Sequence, residues 1–238
     1  MTETEHVDAT RTQSAYKEAM QSRGEEIANA VTHGIGFLFS CTISTTLLVA
    51  FASLHGNAYN IVSVSVFGAS LMLLYATSCL YHALPPGTTI KHVFRVLDHI
   101  SIYTLIAGSY TALTLTHLRG PLGWTLFGAE WGLALAGIVF KSVFQFRYAT
   151  VATFGYLVMG WMVIFAIKPM LQFDGLYWLV IGGLAYTGGV PFFLMDEKRP
   201  YFHAIWHVFV MAGSMAHWIM VLLFCTSSGM NTECTSTA

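Results

Sequence analysis

The amino-acid sequence predicts an all-α integral membrane protein, a bundle of seven transmembrane helices. Of its 238 residues, 55% are hydrophobic and only 10% are charged, whereas a soluble domain carries about 25% charged residues. No Asp, Glu, Lys or Arg lies between Glu26 and Lys91. Further charge-free runs extend from His99 to Leu118, from Tyr148 to Ile167 and from Pro200 to Thr232. Each run can hold at least one span of about 20 residues.

Turn residues divide the apolar runs into seven predicted helices. These are expected at residues 27–53, 58–84, 96–117, 121–140, 149–167, 175–194 and 202–224. Two helices are predicted between Glu26 and Lys91, because the 64 residues there are too many for one span. Pro191 alone lies inside a predicted span, and the other prolines fall at predicted helix ends. We therefore expect one membrane domain at 25–224, a polar cytoplasmic segment at 1–24 and a short polar external tail at 225–238.

The distribution of basic residues predicts the orientation of the bundle, because Lys and Arg concentrate in cytoplasmic loops. Alternate loops hold nine basic residues on the N-terminal side and two on the opposite side, which accounts for all 11. The nine are Arg11, Lys17, Arg23, Lys91, Arg95, Lys141, Arg147, Lys198 and Arg199, and the two are Arg119 and Lys168. The N-terminus is therefore predicted to be cytoplasmic and the C-terminus external.

The charge balance and the cysteines exclude other classes of protein. Eleven basic residues against 12 acidic ones provide no extended basic surface for phosphate backbones, so we expect no nucleic-acid partner. The four cysteines have no spacing typical of a metal or redox site. The polar N-terminus lacks the pattern of a cleaved signal peptide, so the first span is expected to direct insertion.

Several ionisable side chains lie inside predicted spans, where each costs roughly 2.5 to 3.5 kcal/mol at mid-span. His82 lies in the last turn of the second helix, four residues after Ser78 and on the same face. Asp98 is expected to open the third helix. His203 and His207 open the seventh helix, and their i, i+4 spacing places both imidazoles on one face. Such residues are functional candidates by default.

The predicted topology places these groups in one layer. At about 1.5 Å per residue, His82, Asp98, His203 and His207 all lie within roughly 12 Å of the cytoplasmic boundary. Three imidazoles and a carboxylate at one depth suit a tetrahedral zinc site with one position open to water. Two alternatives stay open. The histidines could bond only to carbonyls at the interface, or they could form a proton relay, although a relay should cross the membrane.

Other polar residues receive different interpretations. Glu26, Asn29 and His33 form E-x2-N-x3-H at the inner end of the first helix, where they are expected to support the ligands or line the same cavity rather than bind metal directly. Glu130, near the middle of the fourth helix, is expected to be protonated or hydrogen-bonded, with structural and functional roles both open. His217 is expected to pack rather than to ligate.

At these residues the chain resembles the hemolysin III family, part of the larger group that includes the progestin and adiponectin receptors. The resemblance rests on EEIANAVTHGIGF at 25–37, SCLYHALP at 78–85, LDHISIYTLIAGSYT at 97–111, WGLALAGIVFK at 131–141 and YFHAIWHVFVMAGSMAH at 201–217. It implies Zn²⁺ on His82, His203 and His207, with Asp98 holding a water at the metal and Ser78 supporting the site. It also implies a place in a bacterial inner membrane.

Two functions follow as hypotheses. The first is a zinc-dependent membrane hydrolase, or a hydrolase-like lipid sensor, that acts in membrane homeostasis on a lipid amide or ester, with Asp98 as general base. Membrane lipids are then the expected partners, and no protein partner is indicated. The second is a pore-forming cytolysin with a purely structural zinc. A secreted cytolysin needs a soluble form, however, which a mean hydropathy of +0.61 disfavours.

Overall fold

The computed structural model describes residues 21–233, with the side chains of all of them except residues 43, 44, 55 and 224–233. Most of the predicted N-terminal segment and the end of the predicted tail lie outside these residues. Every regular element within them is helical. The α-helices are α1 (Arg23–Phe39), α2 (Thr46–His55), α3 (Ala58–Ala83), α4 (Thr89–Thr114), α5 (Pro121–Phe144), α6 (Ala149–Gly160), α7 (Ile167–Met170), α8 (Leu176–Leu194) and α9 (Phe202–Glu233). A π-helical segment, Ser40–Thr45, joins α1 to α2, and a 3₁₀ segment, Met162–Ala166, lies between α6 and α7.

Six helical segments of the described chain are long and apolar enough to cross a membrane. They are Arg23–Leu54, Ala58–Ala83, Pro121–Phe144, Ala149–Met170, Leu176–Leu194 and Phe202–Leu223. Large apolar side chains cover the outside of the bundle, among them Leu54, Phe165 and Leu171, each more than two-thirds exposed. An exposed apolar surface of this extent is suited to contact with lipid.

Helix α4 is as long as α3, at 26 residues, but it is not among these six because it carries more polar residues. It packs against α3 and α5 and also contacts α6 and α9. Its polar side chains therefore face protein, where partners can satisfy them. The main apolar core lies beside it and is centred on α3 residues such as Phe67 and Leu71.

The start of α4 differs from the predicted start at residue 96. The helix begins at Thr89, and the hydroxyl of Thr88 caps it by accepting a hydrogen bond from the Lys91 N–H. Asp98 consequently lies in the third turn and does not open the helix. Hydropathy places the helix start after the last basic residue, Arg95, but the charged ends of Lys91 and Arg95 are buried within the protein, so the helix extends back through them.

Other helix boundaries also differ from the predictions. Helix α5 ends at Phe144 rather than at residue 140, and α9 continues to Glu233 rather than ending at 224. The helix predicted at 149–167 is interrupted after Gly160. There the Tyr110 hydroxyl of α4 donates to Gly160 O at 3.0 Å and accepts from the Val163 N–H at 2.7 Å. These bonds satisfy backbone groups that the break leaves without helical partners.

Close contact of α5 with α4 yields a stability prediction. A Cβ at Gly137 would overlap the Tyr103 ring, whereas one at Gly132, on the same helix, would meet nothing within 4 Å. We expect Gly137→Leu to lower the free energy of unfolding by about 1 to 3 kcal/mol through overpacking, and Gly132→Leu to leave it nearly unchanged. Thermal unfolding in detergent measures both. Equal transition temperatures for the two variants would contradict this packing.

Candidate metal centre

Three histidines from two helices meet in one buried cluster. His82 lies in the last turn of α3, and His203 and His207 lie in the first two turns of α9. Potential ligand atoms of all three lie within 4.8 Å of one another. Their ring centroids are separated by 5.0 Å (His82 to His203), 5.2 Å (His82 to His207) and 4.6 Å (His203 to His207). The donors and their spacing fit a single metal ion.

Carboxylates fix the orientation of two of the rings. Nδ1 of His82 lies 2.7 Å from Glu26 Oε2, and Nδ1 of His203 lies 2.7 Å from Asp196 Oδ2. An ionised carboxylate can only accept, so Nδ1 carries the proton in both neutral imidazoles and Nε2 presents its lone pair. Both Nε2 atoms are buried and have no hydrogen-bond partner. This pattern of carboxylate, histidine and free ring nitrogen is typical of metal ligands.

The third ring is held by a hydroxyl. Thr32 Oγ1 donates to backbone oxygens of α1 at 2.9 Å and lies 3.1 Å from His207 Nδ1. Because its proton is engaged by the helix, the Thr32 oxygen accepts from the imidazole, which again leaves Nε2 of His207 as the lone-pair nitrogen. The three Nδ1 atoms are thus bound by three different side chains, and all three Nε2 atoms are the ones available to a cation.

Lys91 connects this cluster to the start of α4. Its side chain is fully buried, and Nζ donates to Tyr81 O at 2.9 Å and to Leu84 O at 3.1 Å. Nζ also lies 3.0 Å from Glu26 Oε1. Glu26 therefore bridges Lys91 and His82, one carboxylate oxygen on each. A buried cation whose donors are all directed to acceptors is tolerated in a low-dielectric environment.

Asn29 and His33, expected near the site from the sequence, are both buried beside it. Asn29 Nδ2 lies 3.5 Å from His82 Nδ1. The His33 ring stacks on His207 with 3.4 Å between centroids and meets the edge of Tyr75 at 5.1 Å. Neither ring nitrogen of His33 has a hydrogen-bond partner. His33 adjoins the cluster, but it is not one of the three histidines whose potential ligand atoms lie within 4.8 Å of one another.

Asp98 and Ser78 lie on the α4 side of the histidines. Asp98 lines a cavity of about 20 Å³ together with His33, His203 and His207, a volume that suits about one water molecule. Ser78 is fully buried one turn before His82, and its hydroxyl lies beside the Asp98 carboxyl. A water in this cavity would adjoin both Asp98 and the histidine pair of α9.

A larger cavity of about 160 Å³ adjoins the small one, with which it shares five lining residues. The shared residues are Leu74, Ile102, Phe193, Trp206 and Val210. Its lining is mainly aliphatic and aromatic, and most of it comes from α4, α6, α8 and α9. An apolar chamber next to a polar centre suits a ligand with an apolar chain and a polar group at one end.

Two ionisable residues singled out in the sequence lie away from the histidine cluster. Glu130 of α5 is fully buried, and neither carboxylate oxygen has a hydrogen-bond partner. His217 of α9 lines the larger cavity, and its Nε2 lies 3.3 Å from Leu179 O.

Two residues that bind the ring nitrogens are absent from the sequence-based prediction. Asp196 belongs to a run of charges, 196–199, which is typical of a solvated loop. Thr32 is one of many hydroxyl residues in the spans. The position of Thr32 between Asn29 and His33, on a helix that faces the site, is the one signal that could have indicated it.

The fold and the site define an all-helical integral membrane protein with a buried cluster of three histidines that could hold a metal ion. The model of the haemolysin-III related family matches residues 21–218, and the chain belongs to this family. It is 47% identical over 204 residues to "Hemolysin-3 homolog" of Bacillus subtilis (strain 168), covering 84% of this chain and 94% of the relative.

Two further relatives extend the comparison. "Hemolysin-3" of Bacillus cereus is 46% identical over 203 residues, covering 84% of this chain and 91% of the relative. "Monocyte to macrophage differentiation factor" of Homo sapiens is 29% identical over 201 residues, covering 83% of each chain. The resemblance seen in the sequence is thereby confirmed, and the bacterial relatives and apolar helices fit a bacterial inner membrane.

The buried lysine provides a test of the network around the histidines. Lys91→Met removes the ammonium that neutralises Glu26 and binds two carbonyls, so we expect the free energy of unfolding to fall by about 3 to 5 kcal/mol. Lys168→Met, at an exposed lysine, serves as the control and should change it by less than about 0.5 kcal/mol. Thermal unfolding in detergent distinguishes the two. A Lys91→Met variant as stable as the control would show that the ion pair contributes little.

Proposed function

We propose that the chain binds Zn²⁺ through Nε2 of His82, His203 and His207, and that this centre hydrolyses or senses a lipid amide or ester. The observation that carries the proposal is the arrangement of the three Nδ1 atoms, which are bound by Glu26, Asp196 and Thr32 in that order. With Nδ1 engaged, each ring offers only Nε2 to a cation. Three imidazoles with a carboxylate nearby, and no thiolate, favour zinc at a site with a free position.

The residues of the chain have distinct roles in this proposal. Bound zinc would supply Lewis acidity, lowering the pKa of a water to about 7 and polarising a carbonyl. Asp98 lines the cavity that would hold this water and is placed to accept its proton. Ser78 beside Asp98 would orient the carboxyl. The apolar chamber would hold the hydrocarbon part of the substrate, so that its polar group lies at the histidines.

The proposal includes a topology of seven spans, with the N-terminus and the metal centre on the cytoplasmic side. Helix α4 is the span that brings the six apolar spans to seven. Its 26 residues exceed the length a bilayer requires, and its polar side chains are shielded by α3 and α5. The nine-to-two distribution of basic residues supports the orientation. Residues 25–224 then form the membrane domain, with Asp98, Ser78, Glu26, Asn29 and His33 around the metal.

Metal content tests the site directly. Elemental analysis of the detergent-purified chain is expected to give about one zinc per molecule, and a His82, His203, His207 triple alanine variant is expected to give none. His117→Ala, at an exposed histidine, is the matched control and should keep its zinc. Equal zinc in the wild type and the triple variant would refute the site.

Turnover is measured separately with lipid amides and esters in mixed micelles. We expect hydrolysis by the wild type and a fall of at least 100-fold for His203→Ala and His207→Ala, with His117→Ala unaffected. Full zinc occupancy without hydrolysis of any lipid would assign the centre to sensing or to holding α3 and α9 together.

A pore-forming cytolysin with a structural zinc is the second candidate, favoured by the names of the two Bacillus relatives. If the chain itself lyses membranes, purified protein should release dye from liposomes, and the triple histidine variant should release as much when equally folded. Our proposal predicts no release above that of an unrelated membrane protein at equal concentration. Dye release by both the wild type and the triple histidine variant, above that of the unrelated protein, would favour the pore.

A further inference from the structure

The turn between α8 and α9 contains one buried acidic residue. Asp196 is 8% exposed, whereas Glu197, Lys198 and Arg199 beside it are exposed. Backbone N–H groups of Lys198 and Arg199 donate to Met195 O at 2.9 and 3.2 Å. The tight turn that these bonds close directs the Asp196 side chain inward, while its three charged neighbours extend outward.

The bond from His203 gives this carboxylate a specific role. Asp196 Oδ2 and His203 Nδ1 are 2.7 Å apart, a length typical of a charge-assisted hydrogen bond. The side chain of His203 is 11% exposed, compared with full burial for His82. It lies at the start of α9, so it has less surrounding protein to fix its ring than His82 does. Its orientation and tautomer therefore depend strongly on a partner at Nδ1.

We propose that Asp196 is a positioning residue of the metal centre, which keeps the proton of His203 on Nδ1 and aims Nε2 at the metal. This inference rests on the proposed zinc site and adds to it a residue that sets metal affinity. Its negative charge also increases the basicity of the ligand nitrogen, as outer carboxylates do at zinc sites. Asp196 and Glu26 thus have equivalent roles, one toward α9 and the other toward α3.

A purely structural role for Asp196 would be to fasten the turn, but other bonds already do so. The Tyr201 N–H donates to Glu25 Oε1 at 2.9 Å, which ties the start of α9 to α1. The turn itself is closed by the backbone bonds at Met195. Loss of the Asp196 charge should therefore change the metal centre more than it changes the fold.

The test uses the full chain in detergent, with zinc affinity measured by competition against a chromogenic chelator. Asp196→Asn preserves shape and removes the charge, and we expect zinc to bind about 10- to 100-fold more weakly. Asp196→Ser is measured beside it, so that the result does not depend on the folding of one variant. Glu197→Gln removes an adjacent exposed charge and should bind zinc like the wild type. Thermal unfolding of the zinc-free proteins should differ little among these variants.

Cobalt substitution adds a readout that a structural role would not change. In cobalt-loaded protein, Asp196→Asn is expected to alter the visible absorption bands, and Glu197→Gln is not. Wild-type affinity and an unchanged cobalt spectrum in both Asp196 variants would overturn the inference, as would an equal loss in Glu197→Gln. A wild type that binds neither zinc nor cobalt would refute the proposed function instead.

Discussion

The geometry of the histidine cluster depends on Glu26, whose carboxylate joins three helices in a region with little water. From α1, one oxygen binds His82 Nδ1 of α3 and the other binds Lys91 Nζ of α4. In a low-dielectric environment none of these groups can be left unpaired without a cost of several kcal/mol. The positions of α1, α3 and α4 at this end of the bundle are therefore fixed relative to one another by hydrogen-bond geometry as well as by packing.

The same requirement explains where polar residues can occur elsewhere in the described bundle. The break after Gly160 is tolerated because the Tyr110 hydroxyl binds both freed backbone groups. Thr32 binds a backbone oxygen of α1 and also accepts from His207. Polar side chains thus serve two purposes at once, since they satisfy buried backbone and also orient site residues. Side chains on the outside of the spans face lipid and need no polar partner.

Much of the architecture follows from the sequence, because a bilayer requires spans of one length and one polarity. Six of the seven predicted spans follow from hydropathy, and the proximity of His82 to His203 and His207 follows from helical spacing and the predicted topology. The predicted start of α4 was wrong, because hydropathy treats Lys91 and Arg95 as solvent-exposed. Both side chains are instead buried against residues that are distant in the sequence or on other turns of the chain. Asp196 was missed for the same reason. Whether a loop carboxylate faces water or a ring nitrogen is decided by tertiary contacts that no local pattern records.

The arrangement of the two cavities bears on which function the bundle favours. A conducting pore needs polar groups or water along its whole length, because an ion cannot leave its hydration shell without replacement. In the part of the chain that the structure describes, the small cavity is lined by Asp98 and the histidines, and the larger adjoining cavity is lined mainly by apolar side chains. This combination would hold a hydrocarbon chain and present its polar end to His203 and His207. The physical contrast between the two cavities therefore favours chemistry on, or recognition of, a lipid over passage of ions.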